Sequence, residues 1–429
     1  MAGWASLIFG ENQGAQWGVR MSVSGGSDPI NVERLSKVLR PVDEAIGLPN
    51  VTYTSDAYFR YERDAVFGRT WTGIAFTDTI PDRPTAHPIE FMGLPLLVTR
   101  DRHGALHVFH NVCSHRGMKL VAEPTEVRGL ITCRYHCWSY ATNGDLKATP
   151  NIGGVDQHHR EGFKNSDHGL KPVRCAVFMG VLFINLSGDA PDFGLHASQL
   201  LRRAGQLLGA DGWSQLKPGV TDSRLSLTAQ CNWKLAVENY CEAYHLPSVH
   251  PELNTYSRLD DHYCFFGDDF AGQGSLAYRG SDIAGTHLPR ATAWPAERMH
   301  VAEYPTMYPN VLLGFQADHA FAILLLPEAP DRTREELQIF YIGDGATSDA
   351  YRACRAATVN AWRIVFEQDL PAVEQMQIGR ASPGYDGGVF SPAMDAATHH
   401  FHSWVANRLV EQIQAKSSIT AAVATGSLT

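Results

Sequence analysis

Basic charge is scarce in this chain, and cysteine is scarcer. Lysine and arginine number 36 against 45 acidic residues, for a net charge of −9. That balance gives no electrostatic hold on nucleic acid or on an anionic membrane surface. Eight cysteines in 429 residues are too few for a disulfide framework. Six of them (Cys137, Cys175, Cys231, Cys241, Cys264, Cys354) stand singly, as expected in a reducing cytoplasm. Long apolar runs are missing as well: residues 320–326 fall far short of the ~20 that cross a bilayer. The apolar patch at residues 4–10 has no basic residues ahead of it, so a signal peptide is not expected, and Met21 is an alternative start. No G-x-G-x-x-G stretch follows a strand-like run, so a dinucleotide is not expected on this chain. At 44% hydrophobic and 19% charged, it has core enough for two or three domains.

Two of the cysteines are not scattered. Cys113-Ser114-His115 is followed, after 17 residues, by Cys133-Arg134-Tyr135-His136. Two thiolates and two imidazoles on a pair of loops suit a [2Fe–2S] cluster of Rieske type, with two Cys on one iron and two His on the other. A structural zinc would accept the same four donors, although C-x-H is an unusual half-site for zinc. Cys137 adjoins the second loop and reads as a small buried residue.

Residues 31–42 carry helical spacing, with Leu35, Val38 and Leu39 on one face. Between residues 71 and 186 the chain becomes short β-like runs, at 96–99, 106–109, 129–133 and 177–186. Residues 195–215 look helical. Residues 225–228, 311–326 and 337–343 read as strands, and the Gly-rich stretch 267–289 as a mobile loop. Residues 351–379 and 397–413 are the strongest helical patterns, and residues 417–429 suggest a frayed tail. The order implies an α+β second domain.

A second constellation runs from Asn232 to His250. Glu238, Glu242 and His245 fall at i, i+4 and i+7 on an expected helix, Pro247 is expected to end it, and His250 follows in the turn. On the later helix, Val359, Trp362, Phe366, Asp369, Val373 and Met376 form one stripe, apolar except for Asp369. A carboxylate there is costly unless paired or metal-bound. His245, His250 and Asp369 together offer the two-His, one-carboxylate set that holds non-haem Fe(II) with open positions. Glu238 reads as a structural carboxylate.

These segments resemble the Rieske non-haem iron oxygenases, the ring-hydroxylating family. Residues 113–117 and 133–138 are similar to its CxHRG and CxYHGW loops, with Arg134 where Pro is frequent and Cys137 where Gly is usual. Residues 232–250 resemble its NWK…EN…D/ExxHxxxxH motif, and Gln368-Asp369 its QD motif. The resemblance implies a small all-β Rieske [2Fe–2S] domain at residues 45–190. It also implies a helix-grip catalytic domain with a large antiparallel sheet at 191–415, flanked by an N-terminal segment, 1–44, and a flexible tail, 416–429. The implied cofactors are the cluster on Cys113, His115, Cys133 and His136 and a mononuclear Fe(II) on His245, His250 and Asp369. Also implied are a homotrimer, O2 and a small-molecule substrate, and a separate NAD(P)H-dependent flavin and iron–sulfur reductase. Glu242 stands where the family bridges the iron to a neighbouring chain's cluster. Glu rather than Asp there, with Tyr308-Pro-Asn310 and Asp318-His319, resembles the branch acting on carnitine or glycine betaine. That branch oxidises an N-methyl carbon to a hemiaminal, which loses formaldehyde. Tyr304, Tyr308, Phe315 and Phe321 are candidate walls for a cationic head. The alternatives are oxygenation of an aromatic ring, and a Rieske electron-transfer protein without oxygenase activity.

Overall fold

Residues 181–185, Val-Leu-Phe-Ile-Asn, contain no position that faces water. Such a run belongs in the interior of a covered sheet. In the computed structural model, which describes residues 32–209 and 211–424 with side chains to residue 415, it is an inner strand of a seven-stranded antiparallel sheet. The strand order is Thr72–Phe76, Val181–Asn185, Pro172–Phe178, Leu106–His110, Leu94–Arg100, Thr85–Phe91, Thr125–Glu126. Residues 177–186 are thus not one strand but a hairpin. Met179 and Gly180 turn it, with φ of 46° and 67°, the left-handed pair that matches strand twist. A three-stranded sheet (Ile131–Thr132, Ser139–Tyr140, Leu146–Ala148) holds the second cysteine loop. These elements lie within one compact unit, Arg69–Phe193.

Residues 32–68 and 194–424 form the other unit. Its frame is an eight-stranded antiparallel sheet. Leu216–Pro218, Arg332–Ile342, His319–Ala329, Val311–Phe315, Ala302–Met307, Phe270–Ser275 and His262–Gly267 lie in that order, and Arg224–Ala229 pairs with Arg332–Ile342. Two expectations change here. Residues 311–326 are two strands with a turn at 316–318. The Gly-rich stretch 267–289 is no simple loop, because Phe270–Ser275 is a core strand paired on both sides. Its glycines mark close approach, not mobility: a Cβ at Gly272 would strike the backbone of Tyr304 and Pro305.

The helices follow their apolar faces. Val32–Val38 buries Leu35 and Val38 but leaves Leu39 exposed. Residues 4–10 and Met21 lie outside the described residues. Arg352–Gly379 buries Val359, Phe366 and Val373 and runs unbroken through Pro371. Met376, expected on that buried stripe, is 41% exposed. The helix Ala396–Ala424 continues past the point at which the tail was expected to fray.

Trp233–Cys241 carries the first part of the metal motif and packs against the sheet and both long helices. Asn232 caps it: its Oδ1 accepts from Lys234 N–H at 3.2 Å, and its own N–H donates to Gln377 at 3.0 Å. Two buried charges fix it laterally. Lys234 Nζ donates to both oxygens of Glu62 at 2.9 and 3.1 Å. The Glu238 carboxylate accepts from Tyr53 Oη at 2.5 Å and Arg380 Nη2 at 3.3 Å, with His402 Nε2 3.0 Å away.

Burial pushes the Glu238 carboxyl up, but His402, Arg380 and Tyr53 outweigh it and hold it at about 2. A depressed folded-state pKa stabilises above the unfolded value, near 4.5, and that contribution is lost as pH falls towards 2. Glu238→Gln is therefore expected to cost on the order of 3 kcal/mol at neutral pH. It should also flatten the fall in Tm between pH 4.5 and 2, as checked by thermal melts across that window.

Candidate functional site: two metal-binding constellations

The cysteine loops are built alike. Cys113 N–H donates to Met118 O, and Gly117 N–H to Cys113 O, at 2.8 and 2.9 Å. In the second loop, Cys133 N–H donates to Trp138 O and Cys137 N–H to Cys133 O, at 2.8 and 3.0 Å. Each loop needs a left-handed residue four positions after its first Cys. Gly117 supplies it at φ 73°, and Cys137 at φ 57°. Cys137 is exposed, not the buried small residue expected from sequence. It occupies a backbone position suited to glycine.

The loops sort their donors by depth. Cys113 and Cys133 are buried in a cluster with Phe109, Trp138 and Tyr140. His115 is exposed and His136 half-buried, their rings 4.7 Å apart and steeply inclined, with His115 stacked on Trp138 at 4.7 Å. Tyr140 Oη lies 3.3 Å from Cys113 Sγ and accepts from Ser114 N–H at 3.0 Å. Sulfur donors within and imidazoles at the rim fit a [2Fe–2S] group with one thiolate-held and one imidazole-held iron.

The second constellation departs from the expected helix. Trp233–Cys241 stops before Glu242, whose backbone is extended. His245 then caps a four-residue helix, Leu246–Val249, with Pro247 in its first turn, so Pro247 starts a helix where it was expected to end one. Glu238 and Glu242 do not share a face. Glu238 serves the Arg380 cluster, while Glu242 closes the turn: its Oε2 accepts from the N–H groups of Tyr244 and His245, and its Oε1 meets His245 Nδ1 at 2.6 Å.

His245 Nε2 is thereby turned to within 3.5 Å of Asp369 Oδ1. His250 is held from the other side: its Nδ1 meets Gln368 Oε1 at 2.8 Å and its Nε2 lies 3.0 Å from Asp369 Oδ1. Asn239 Nδ2 donates to the same oxygen at 3.2 Å. One donor atom from each of His245, His250 and Asp369 falls within 4.8 Å of the others. Acceptors on both Nδ1 atoms leave the Nε2 atoms free to bind a metal. This donor set fits a mononuclear iron with open positions.

Next to it is a cavity of about 300 Å³, walled by Tyr240, Tyr256, Tyr278, Tyr304, Trp362 and Phe366. Tyr304 is the only one of the four expected walls among its lining residues; Tyr308, Phe315 and Phe321 are buried in the core. Sequence reading missed Tyr240, Tyr256, Tyr278, Trp362 and Phe366 as walls. Trp362 and Phe366 had a signal, their places about two turns and one turn before Asp369 on the same helix.

Residues 70–159 match the Rieske [2Fe-2S] domain, and residues 219–411 match the ring hydroxylating alpha subunit (catalytic domain). The chain belongs to the Rieske non-haem iron oxygenases. It is an enzyme chain that binds a [2Fe–2S] cluster and a mononuclear iron. It is 26% identical over 376 residues to the chloroplastic choline monooxygenase of Arabidopsis thaliana, covering 84% of this chain and 82% of that one. It is 26% identical over 354 residues to the carnitine monooxygenase oxygenase subunit of Acinetobacter pittii (80% and 88%). To the glycine betaine monooxygenase oxygenase subunit of Pseudomonas aeruginosa it is 25% identical over 431 residues (91% and 96%). Its fold matches a quaternary ammonium Rieske monooxygenase crystallised with L-carnitine (TM-score 0.67, 22% identity, 88% and 99% covered). It also matches naphthalene 1,2-dioxygenase from Rhodococcus sp. bound to indole (0.66, 18%, 88% and 98%). No helix among the described residues is long and apolar enough to cross a membrane.

Left-handed backbone costs a residue with a Cβ about 1 kcal/mol or more. Cys137→Gly is therefore expected to raise the Tm and slow loss of the cluster's visible absorbance under denaturant, without altering the cluster's spectrum.

Proposed function

We propose that this chain is the terminal oxygenase component of a system that oxidises an N-methyl group of a quaternary ammonium compound or methylated amine. The aromatic-walled cavity beside His245, His250 and Asp369 carries this reading. Six aromatic side chains lining one small cavity bring π surface to a cationic head that cannot donate a hydrogen bond. The similarity to choline, carnitine and glycine betaine monooxygenases supports it. When bound, the cluster supplies single electrons and the mononuclear iron supplies the O2 chemistry.

The chain's own residues do the positioning. Cys113, Cys133, His115 and His136 hold the cluster, and His245, His250 and Asp369 the iron. Glu242 and Gln368 orient the two imidazoles, and Asn239 steadies Asp369. Phe366 and Leu246 give the cavity apolar surface that excludes water. The overall change is N–CH3 plus O2, two electrons and two protons, giving N–CH2OH and water. The hemiaminal then releases formaldehyde, leaving the amine one methyl shorter. A separate NAD(P)H-dependent reductase would supply those electrons, a reading supported by the relatives' being named oxygenase subunits. Purified oxygenase with a compatible reductase should release formaldehyde from glycine betaine, carnitine or a related compound in step with O2 uptake. A cis-diol from an arene, with no formaldehyde from any methylated amine, would overturn the reading.

Electron delivery through Glu242 from a neighbouring copy in a homotrimer is part of this proposal. Glu242 already holds its own His245, and a carboxylate has lone pairs left for His136 of another copy. Glu242→Gln, which keeps an acceptor for the turn, should retain cluster absorbance and iron content, whereas Glu242→Ala, which opens the turn, should retain the cluster and hold iron less well. Steady-state turnover should fall at least a hundredfold. Turnover near the wild-type rate in either variant would remove Glu242 from the electron route.

A further inference from the structure

Trp362 and Tyr278 both line the cavity, and both are tied to one buried pair that the proposed chemistry does not use. Asp318 and His319 sit at the turn joining the core strands Val311–Phe315 and His319–Ala329, at 6% and 1% exposure. Asp318 Oδ1 lies 2.8 Å from His319 Nδ1. The Trp362 indole N–H donates to His319 Nε2 at 2.8 Å. An indole nitrogen can only donate, so Nε2 carries the lone pair and Nδ1 carries the proton, which it donates to Asp318. Tyr278 Oη donates to the same Asp318 oxygen at 3.2 Å.

The pair, joined by one hydrogen bond, thus reaches two walls of the cavity through two more. Burial pushes the Asp318 carboxyl up, while His319 and Tyr278 pull it below the usual carboxylate range, so it stays an acceptor. Close packing adds to the constraint. A Cβ at Gly280 would run into the Asp318 carboxylate, so the segment following Tyr278 lies directly on it. The Trp362 ring, held at its nitrogen edge, stacks on Phe366 at 5.6 Å and meets Tyr304 edge-on at 5.9 Å.

We infer that Asp318 and His319 are positioning residues, which fix the Trp362 and Tyr278 rings and so set the cavity's selectivity for a compact trimethylammonium head. The inference rests on reading the cavity as a quaternary ammonium site. Each ring could rotate about its side-chain bonds if the pair released it, and a head group held by ring faces loses contact when a face turns.

The test compares His319→Leu, which removes the acceptor for Trp362, with His319→Gln, whose Oε1 can replace it. Trp362→Phe removes the indole N–H together with the second ring and keeps a smaller aromatic face. His319→Leu is expected to raise KM for the best methylated-amine substrate about tenfold with kcat little changed. It should also narrow the preference for an N-trimethyl over an N-triethyl analogue. His319→Gln should restore most of the wild-type KM. Trp362→Phe should raise KM alone but add little in the His319→Leu background, the coupling expected of a linked pair. Iron content and cluster absorbance should be unchanged in all three.

If His319→Leu does not fold, Trp362→Phe and His319→Gln decide the question by the same KM-against-kcat split. A wild-type KM and an unchanged selectivity in His319→Leu, or in Trp362→Phe alone, would overturn the inference. If the wild type instead oxidises only an arene, the proposed substrate class fails. The same variants measured on that arene then decide the role of the pair separately.

Discussion

The position of one nine-residue helix sets the iron site, and buried charge sets that helix. Trp233–Cys241 leads directly into the turn that presents His245 and His250, so an error in its placement passes straight to the donor atoms. Apolar packing alone would let the helix slide or rotate at little cost, because such contacts are not directional. The Lys234–Glu62 pair, with no exposure on either side chain, and the Glu238 cluster with Tyr53, Arg380 and His402 do not allow that. A buried charge that loses its partner is penalised far more than a slipped methyl. Such pairs add little net stability compared with apolar packing, but they define register. Here they tie the helix to three distant segments at once: the N-terminal helices, the end of Arg352–Gly379 and the C-terminal helix.

Both metal constellations are then completed by local backbone devices. In the cluster loops, paired N–H···O=C bonds close each turn around a cysteine. In the iron site, Glu242 closes the turn with one carboxylate oxygen and orients His245 with the other. A single side chain thus links the shape of the turn to the tautomer of a ligand. Gln368 does the second part of that work for His250 from the opposing helix, and its neighbour Asp369 supplies the third donor. The iron site is consequently where two helices meet, not a property of either alone.

This division explains what could be read from sequence. The cysteine and histidine quartet is local, with ligands a few residues apart on two loops, and its spacing carries the information. Asp369 was legible because a carboxylate on an apolar stripe is costly without a partner. The end of the Trp233–Cys241 helix was not legible: nothing in Glu242-Ala-Tyr-His245 opposes helix, and it is the carboxylate closing on two N–H groups that ends it. Glycine misled at residues 267–289, where it permits close strand packing and not movement. The partners of Glu238 lie at 53, 380 and 402, and no periodicity connects them. The cavity walls at Tyr256 and Tyr278 were missed for the same reason, since they come from irregular segments whose placement depends on contacts such as that with Asp318.

The cluster end faces a constraint that the iron site avoids. Its imidazoles lie at the rim, His115 exposed and His136 half-buried, so burial does not hold them, and the loops depend on backbone geometry instead. Both loops demand a left-handed residue at the same place. Gly117 meets the demand without strain, while Cys137 meets it with a Cβ in a disfavoured region. The strain is sustained because the rest of that loop is over-determined. Cys133 bonds Trp138 through the backbone, Trp138 stacks beneath His115, and Tyr140 reaches back to Cys113 and Ser114 in the other loop. The two loops thus brace one another across the cluster position. A conformational cost at residue 137 can be carried there because the contacts opposing its relaxation are anchored in the buried core and not at the rim.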